Sequence, residues 1–253
     1  TTLQATYTWA RSLEIPDSGW TDPLNRDADY RLASNHRSHE FRMNGTAELP
    51  IGPNKLLFGN SSGVVARVIE DWQMSWIVNL NSGAPLDVAA QSMLYNNGTA
   101  DVVGPFNLKS GNVQFLGGSS GTYFDTSSYT QVQDPQCAGV TTQQNLRAAC
   151  TLNAIAAVTT GQILFQTPLP GTRGTLGQRA VYGPGRWRFD ASIGKSFKIR
   201  ESTSVQIRVD ATNVLNHPEP NSPNLNINQA NFGVINSKSN LTRELQGQLR
   251  ISF

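Results

Sequence analysis

The chain has 253 residues, of which 38% are hydrophobic, 15% are charged and 22 are glycine. That composition suits one sizeable β domain or part of a larger one. A net charge of +2 leaves no nucleic-acid footprint, and no apolar run approaches the roughly 18 to 20 residues of a membrane-spanning helix. A β-barrel escapes that exclusion, because its strands alternate and keep mean hydropathy low.

Residues 1–10 alternate, with Leu3, Ala5, Tyr7 and Trp9 on one face and Gln4, Thr6 and Thr8 on the other. A period of two is the signature of a half-buried strand. Thr1 opens directly on this strand, so the N-terminus reads as a cut inside a longer chain. A polar stretch over 12–39 with Pro16 and Pro23 reads as a long loop. Phe41, Met43, Gly45, Ala47 and Leu49 alternate with Arg42, Asn44, Thr46 and Glu48 until Pro50 ends the strand. A connector follows over 54–71, with a short helix allowed over Val64–Ile69.

Trp72, Met74, Trp76, Val78 and Leu80 resume the alternation, and Leu86 and Val88 read as its continuation past a bend at Ser82-Gly83. Residues 91–184 are rich in Gly, Ser, Thr and Asn and weakly periodic. A structureless loop of that length is rare in a compact soluble domain but ordinary on the outer side of a large barrel. Residues 187–199 and 203–215 alternate on either side of a tight turn at Arg200-Glu201. An Asn- and Pro-rich loop covers 216–239. The last strand carries Leu245, Gly247, Leu249, Ile251 and Phe253 on one face.

Six crossings joined long, short, long, short, long argue for antiparallel transmembrane β-barrel strands rather than a soluble sandwich, which has no reason to sort its loops. Tyr7, Trp9, Phe41, Trp72, Trp76, Trp187 and Phe253 read as interfacial girdle aromatics. Charge suggests a register for the hairpin of the fourth and fifth strands: Arg188 opposite Asp210 and Asp190 opposite Arg208. A two-residue slip sets Asp190 against Asp210, like against like. These four charges are expected inside the barrel, since a charge at the lipid-facing midplane costs about 2–4 kcal/mol.

Cys137 and Cys150 are the two cysteines, in a polar stretch. They read as a disulfide clip in an oxidising compartment, or as two unpaired thiols; two cysteines without a nearby His are too few for a metal site. Gly59-Asn60-Ser61-Ser62-Gly63 matches G-x-S-x-G between an apolar run and a candidate helix, the context of a nucleophile elbow. A serine hydrolase using Ser61 would need an acid and one of His36, His39 or His217. A second match, Gly117–Gly121, lies in low-complexity loop. Asp22, Asp27 and Asp29 do not fit a calcium-loop pattern.

Several stretches together resemble the C-terminal part of TonB-dependent outer-membrane transporters, in particular the Oar-like receptors. They are LQATYTWARS from Leu3, NHRSHEFRMNGTAELP from Asn35, DWQMSWIVNLNSGAP from Asp71, GPGRWRFDASIGKSF from Gly183, RVDATNVLNHPEPNSPN from Arg208, and the last strand. They cover about half the chain in the family's order. The resemblance implies an all-β fold, these being about six C-terminal strands of a barrel of about 22 strands filled by an N-terminal plug. It implies outer-membrane uptake of a scarce small ligand, with energy relayed by TonB, no cofactor and no catalysis. Phe253 resembles the family's signal to the barrel assembly machinery. The implied partners are outer-membrane lipid, that machinery, an unidentified ligand bound by the outer loops, and TonB through an N-terminal part. The chain departs from the family in lacking the plug and the TonB-contacting box. Uptake by the receptor and hydrolysis by Ser61 are the two functions to separate; a structural role in a surface assembly is a third.

Overall fold

The computed structural model describes residues 1–91, 98–117, 120–139, 150–200, 202–239 and 242–253. Six long strands build one antiparallel sheet: β1 (Thr2–Trp9), β2 (His39–Glu48), β3 (Gln73–Asn81), β4 (Arg186–Arg200), β5 (Thr203–Thr212) and β6 (Glu244–Ser252). They lie side by side in chain order. Most are 8 to 10 residues long, and β4 has 15. A tilted transmembrane strand needs about 9–11. The sheet is open, with β1 and β6 at its edges, and no sheet among the described residues closes on itself.

Every strand pair keeps the two faces apart. Leu3, Ala5 and Tyr7 sit opposite Gly45, Met43 and Phe41. Those residues in turn oppose Trp76, Val78 and Leu80. Trp187, Phe189, Ala191 and Ile193 continue the apolar face, then Ala211 and Val209, then Leu245 and Gly247. Much of this face is not packed on protein: Leu3, Tyr7, Trp9, Leu245 and Leu249 are each more than 60% exposed. An exposed apolar face of that extent calls for an apolar solvent. The opposite face carries Arg42, Asn44, Ser75, Asn79, Arg188, Asp190, Arg208, Asp210, Gln246 and Gln248. Trp76 is not a girdle residue. It lies in mid-strand across Gly45, where an added Cβ would meet its ring at 2.5 Å.

The hairpin register differs from the charge-based expectation by four residues. Asp210 stands opposite Ser192, and Arg208 opposite Gly194. Each arginine is neutralised along its own strand: Arg188 Nε lies 2.8 Å from Asp190 Oδ1, and an Arg208 guanidinium nitrogen 2.7 Å from Asp210 Oδ1. Same-strand pairing removes the electrostatic demand on register. The observed ladder runs from Ala191 opposite Ala211 to Lys198 opposite Ser204 and ends with Arg200 opposite Thr203, after an irregularity between Lys198 and Arg200. Glu201 of the expected turn lies outside the described residues, as do Asn240 and Leu241.

The long connections hold the larger difference. Residues 91–184 and 216–239 are not featureless loops. With Val88 just before them, they supply the main apolar cluster among the described residues: Val88, Phe124, Tyr129, Ile155, Phe165, Ile227, Phe232 and Ile235 pack together with no residue of the six long strands. Its aromatic centre is tight, with Phe106 and Phe165 rings 4.8 Å apart and Phe106 edge-on to Phe124 at 5.1 Å. A four-stranded sheet (Asp101–Val102, Tyr129–Gln133, Asn153–Ala157, Ile163–Gln166) and a three-stranded one (Gln114–Gly117, Ser120–Thr122, Val234–Ile235) frame it. Leu86 and Val88 do not prolong β3. Pro85–Leu86 pairs with Val181–Tyr182, and Val88 is fully buried in the cap.

At the other end, the 24 or so residues between β2 and β3 fold into a tight turn, with Ile51 bridged to Leu57, and a short helix α1 (Gly63–Ile69).

Candidate functional site: the outer cap

The three long connections all leave the same end of the sheet. The first spans roughly 10–38, the second 82–185 and the third 213–243. They are tied together by buried polar contacts. Asp29, fully buried, accepts hydrogen bonds from Thr21 N at 2.8 Å, from the Thr21 hydroxyl at 2.5 Å and from Gln178 Nε2 at 2.8 Å. Gln178 lies in the second connection, so one carboxylate joins two segments that are 149 residues apart in sequence. Burial pushes the Glu14 carboxyl up, but Arg179 at 2.7 Å and Arg31 at 3.4 Å outweigh it and hold it below the ordinary carboxylate range. The Arg179 guanidinium also donates to the Leu32 carbonyl.

The third connection is sewn to the second. Gln131 Nε2 donates to Ile227 O at 2.7 Å, Asn153 N to Asn228 Oδ1 at 2.8 Å, and the Tyr129 hydroxyl to Phe232 O at 3.1 Å. Burial, then the Asp125 charge, keeps the Tyr129 phenol protonated well above its usual range. Buried Asp134 accepts from Thr167 N and Gln136 N, next to Cys137. Cys137 and Cys150 are bonded to each other, with Cα atoms 5.6 Å apart. Among the described residues there is no free cysteine.

A cleft of about 440 Å³ opens between the first and second connections, lined by Thr21, Ala28, Thr99, Arg173, Leu176 and Gln178 among others. That is within the size of small-ligand sites. At the base of the cap, His217 stacks on Trp187 with ring centroids 4.1 Å apart, and Asn213 N donates to Asp190 Oδ1 at 2.8 Å. His36 is buried; its Nδ1 accepts from Ser12 N and its Nε2 pairs with the Ser38 hydroxyl. Burial, aided by Arg37 and Arg11, lowers its pKa and keeps the ring neutral.

The residues weighed for hydrolysis do not come together. The Ser61 hydroxyl donates to Phe58 O at 2.5 Å, in the turn beyond the end of β2. His36, His39 and His217 all lie at the cap end, and His39 begins β2. The ten residues of β2 separate the two ends by about 30 Å at ~3.3 Å per residue. The second G-x-S-x-G match falls partly on Gly118 and Ser119, outside the described residues. Asp22, Asp27 and Asp29 do not converge: Asp29 serves Thr21 and Gln178, and Asp22 accepts from Leu24 N. Among the described residues, no three His, Cys, Asp or Glu side chains could hold a metal.

The alternation of the strands predicts the two faces, but nothing in it points to Gln178, Arg179 or Asp134. Their partners lie far away in sequence, and the only local signal was a polar residue among small ones.

No curated protein matches the chain, and no solved structure matches it. Residues 1–246 match the family described as outer membrane beta barrel domain. That match agrees with an apolar sheet face open to its surroundings, a polar face and long connections gathered at one end. The chain is thus an outer-membrane β-barrel protein, all-β in class, and belongs to the outer membrane beta barrel domain family.

Proposed function

We propose that the chain is the C-terminal barrel portion of a TonB-dependent receptor that takes up a scarce small ligand, which it recognises with its folded outer connections. The observation that carries the reading is the cap: Asp29, Glu14 and Arg179 tie the first connection to the second across a cleft, and Gln131, Asn153 and Tyr129 tie the second to the third. Specificity resides where loops are held by a scaffold. The free edges of β1 and β6 pair with further strands of a barrel of about 22, and the plug and TonB-contacting box belong to residues outside 1–253. Phe253, 94% exposed at the end of β6, serves as the barrel-assembly signal. A Ser61 hydrolase has no supporting geometry, because its hydroxyl and the three histidines stand at opposite ends of β2.

The test is genetic. The gene for the whole protein and the gene for TonB are inactivated singly and together, and growth is followed while nutrients are limited one class at a time. The expected result is a nutrient class for which either loss gives the same defect and the double loss adds nothing. A defect that persists unchanged when TonB is already absent refutes TonB-dependent uptake. Loss of the defect's rescue on Ser61→Ala revives the hydrolase.

A further inference from the structure

The short-connection end of the sheet carries a feature that uptake does not require. Helix α1 presents Val64, Val65 and Val68 to the outside at 80%, 61% and 55% exposure, while Ala66 is buried beneath them. Leu56 and Phe58, in the turn before it, are exposed as well. Surface valines on a seven-residue helix gain nothing from water, so the question is which side of the sheet they are on.

Two side chains answer it. Trp72 and Lys195 both belong to the apolar face: Trp72 precedes β3 in phase with Met74 and Trp76, and Lys195 stands opposite Ile207 between Ile193 and Phe197. The Trp72 indole N–H donates to Val68 O at 3.0 Å, and the Lys195 ammonium donates to Arg67 O. Glu70 N takes the Ala66 carbonyl at 3.0 Å. The last carbonyls of a helix have no intrahelical partner and ordinarily turn to water. Here two of them, on Arg67 and Val68, are met by side-chain donors that reach from the apolar face of the sheet. Carbonyls satisfied in this way tolerate a medium without water. The lysine also complements the negative end of the helix dipole, and it lies 4.7 Å over the Phe197 ring.

We infer that α1 is an interfacial helix, lying in the periplasmic leaflet against the barrel's outer wall, with Val64, Val65 and Val68 among phospholipid acyl chains. The side follows from the connections: the long, folded ones lie outside and the short ones toward the periplasm. The occupant follows from continuity, because the helix is fastened to the same face that the sheet turns toward lipid. The inference rests on the outer-membrane family and is independent of TonB.

The test uses the whole protein, reconstituted in phosphatidylcholine vesicles that carry acyl-chain bromines. An environment-sensitive fluorophore is placed on a single introduced cysteine: Val65→Cys, Leu249→Cys on the apolar sheet face, or Gln73→Cys on the polar face. The expected result is bromine quenching at 65 as deep as at 249, with 73 unquenched. In the Lys195→Met background, position 65 is expected to become accessible to a water-soluble maleimide. Quenching at 249 but not at 65 overturns the inference, whether 65 proves open to maleimide or covered by another part of the protein. If neither 65 nor 249 is quenched, the apolar face itself does not meet lipid, and the inference falls with it. If Val65→Cys fails to assemble, Val64→Cys reads the same surface.

Discussion

Asp29→Ala is the sharpest probe of the cap. Asp29 is fully buried and takes three hydrogen bonds, from Thr21 N, the Thr21 hydroxyl and Gln178 Nε2. A hydrogen bond to a charged group is worth about 1.5–3 kcal/mol, so three set a ceiling of roughly 4.5–9 kcal/mol. The bonds are not additive, and the variant also escapes the cost of burying a carboxylate. A net local loss of about 3 kcal/mol follows, mostly from donors left buried and unmet. The strands are untouched, because Asp29 lies outside all six. The lost stability therefore appears as opening of the first connection.

Trypsin at exposed Arg26, which stacks over Trp20 with its guanidinium 4.6 Å from the ring, reads that opening in outer-membrane fragments. When reclosing outruns cleavage, the rate follows the open population, so about 3 kcal/mol raises cleavage roughly 100- to 200-fold. Asp22→Ala, which removes only a local acceptor for Leu24 N, changes the rate by less than about fivefold. Equal cleavage of Asp29→Ala and wild type would refute the claim that this carboxylate ties the first connection to the second.

Three further outcomes follow. In Gly83→Ala the added methyl would sit 1.7 Å from the Gly183 carbonyl oxygen, backbone against backbone. It should cost about 1–3 kcal/mol and release the hydrogen-exchange protection of Gly183 N, which bonds to Ala84 O; unchanged protection there contradicts the close approach. His36 has a pKa below its usual 6.5 because of burial and its arginine neighbours, so the unfolded segment binds the proton more readily. Its contribution is complete above pH about 6.5 and is lost as the pH falls from there through the lowered pKa. Tryptic cleavage at Arg37 should rise on acidification in wild type but less in His36→Asn, and identical pH profiles would count against the assignment. Replacing Cys137 and Cys150 together by Ser opens a loop of 13-residue separation. It should cost the cap about 3 kcal/mol by loop-closure entropy, seen as faster exchange in Asn153–Ala157, with exchange of Gln246–Leu249 unchanged as the control. Slowed or unaltered exchange in 153–157 would show that the link does not stabilise the cap.

The membrane-spanning sheet was legible in the amino-acid order alone. All six strands, their order along the chain and the identity of each face are legible in a period of two, from Leu3-Ala5-Tyr7 to Leu249-Ile251. Alternation is local, and a strand between lipid and a polar interior has one choice to make at each residue. Register was beyond its reach. Arg188 and Arg208 found their partners two residues along the same strand, so their charges carried no information about the neighbouring one. The cap was not legible in that way. Val88, Phe124, Ile155, Phe165, Ile227 and Phe232 converge from connections that are at most weakly periodic. Asp29 meets Gln178 across 149 residues, a pairing that no local pattern encodes. A core assembled from irregular segments is specified by shape and by buried hydrogen bonds, and those exist only once the chain has folded.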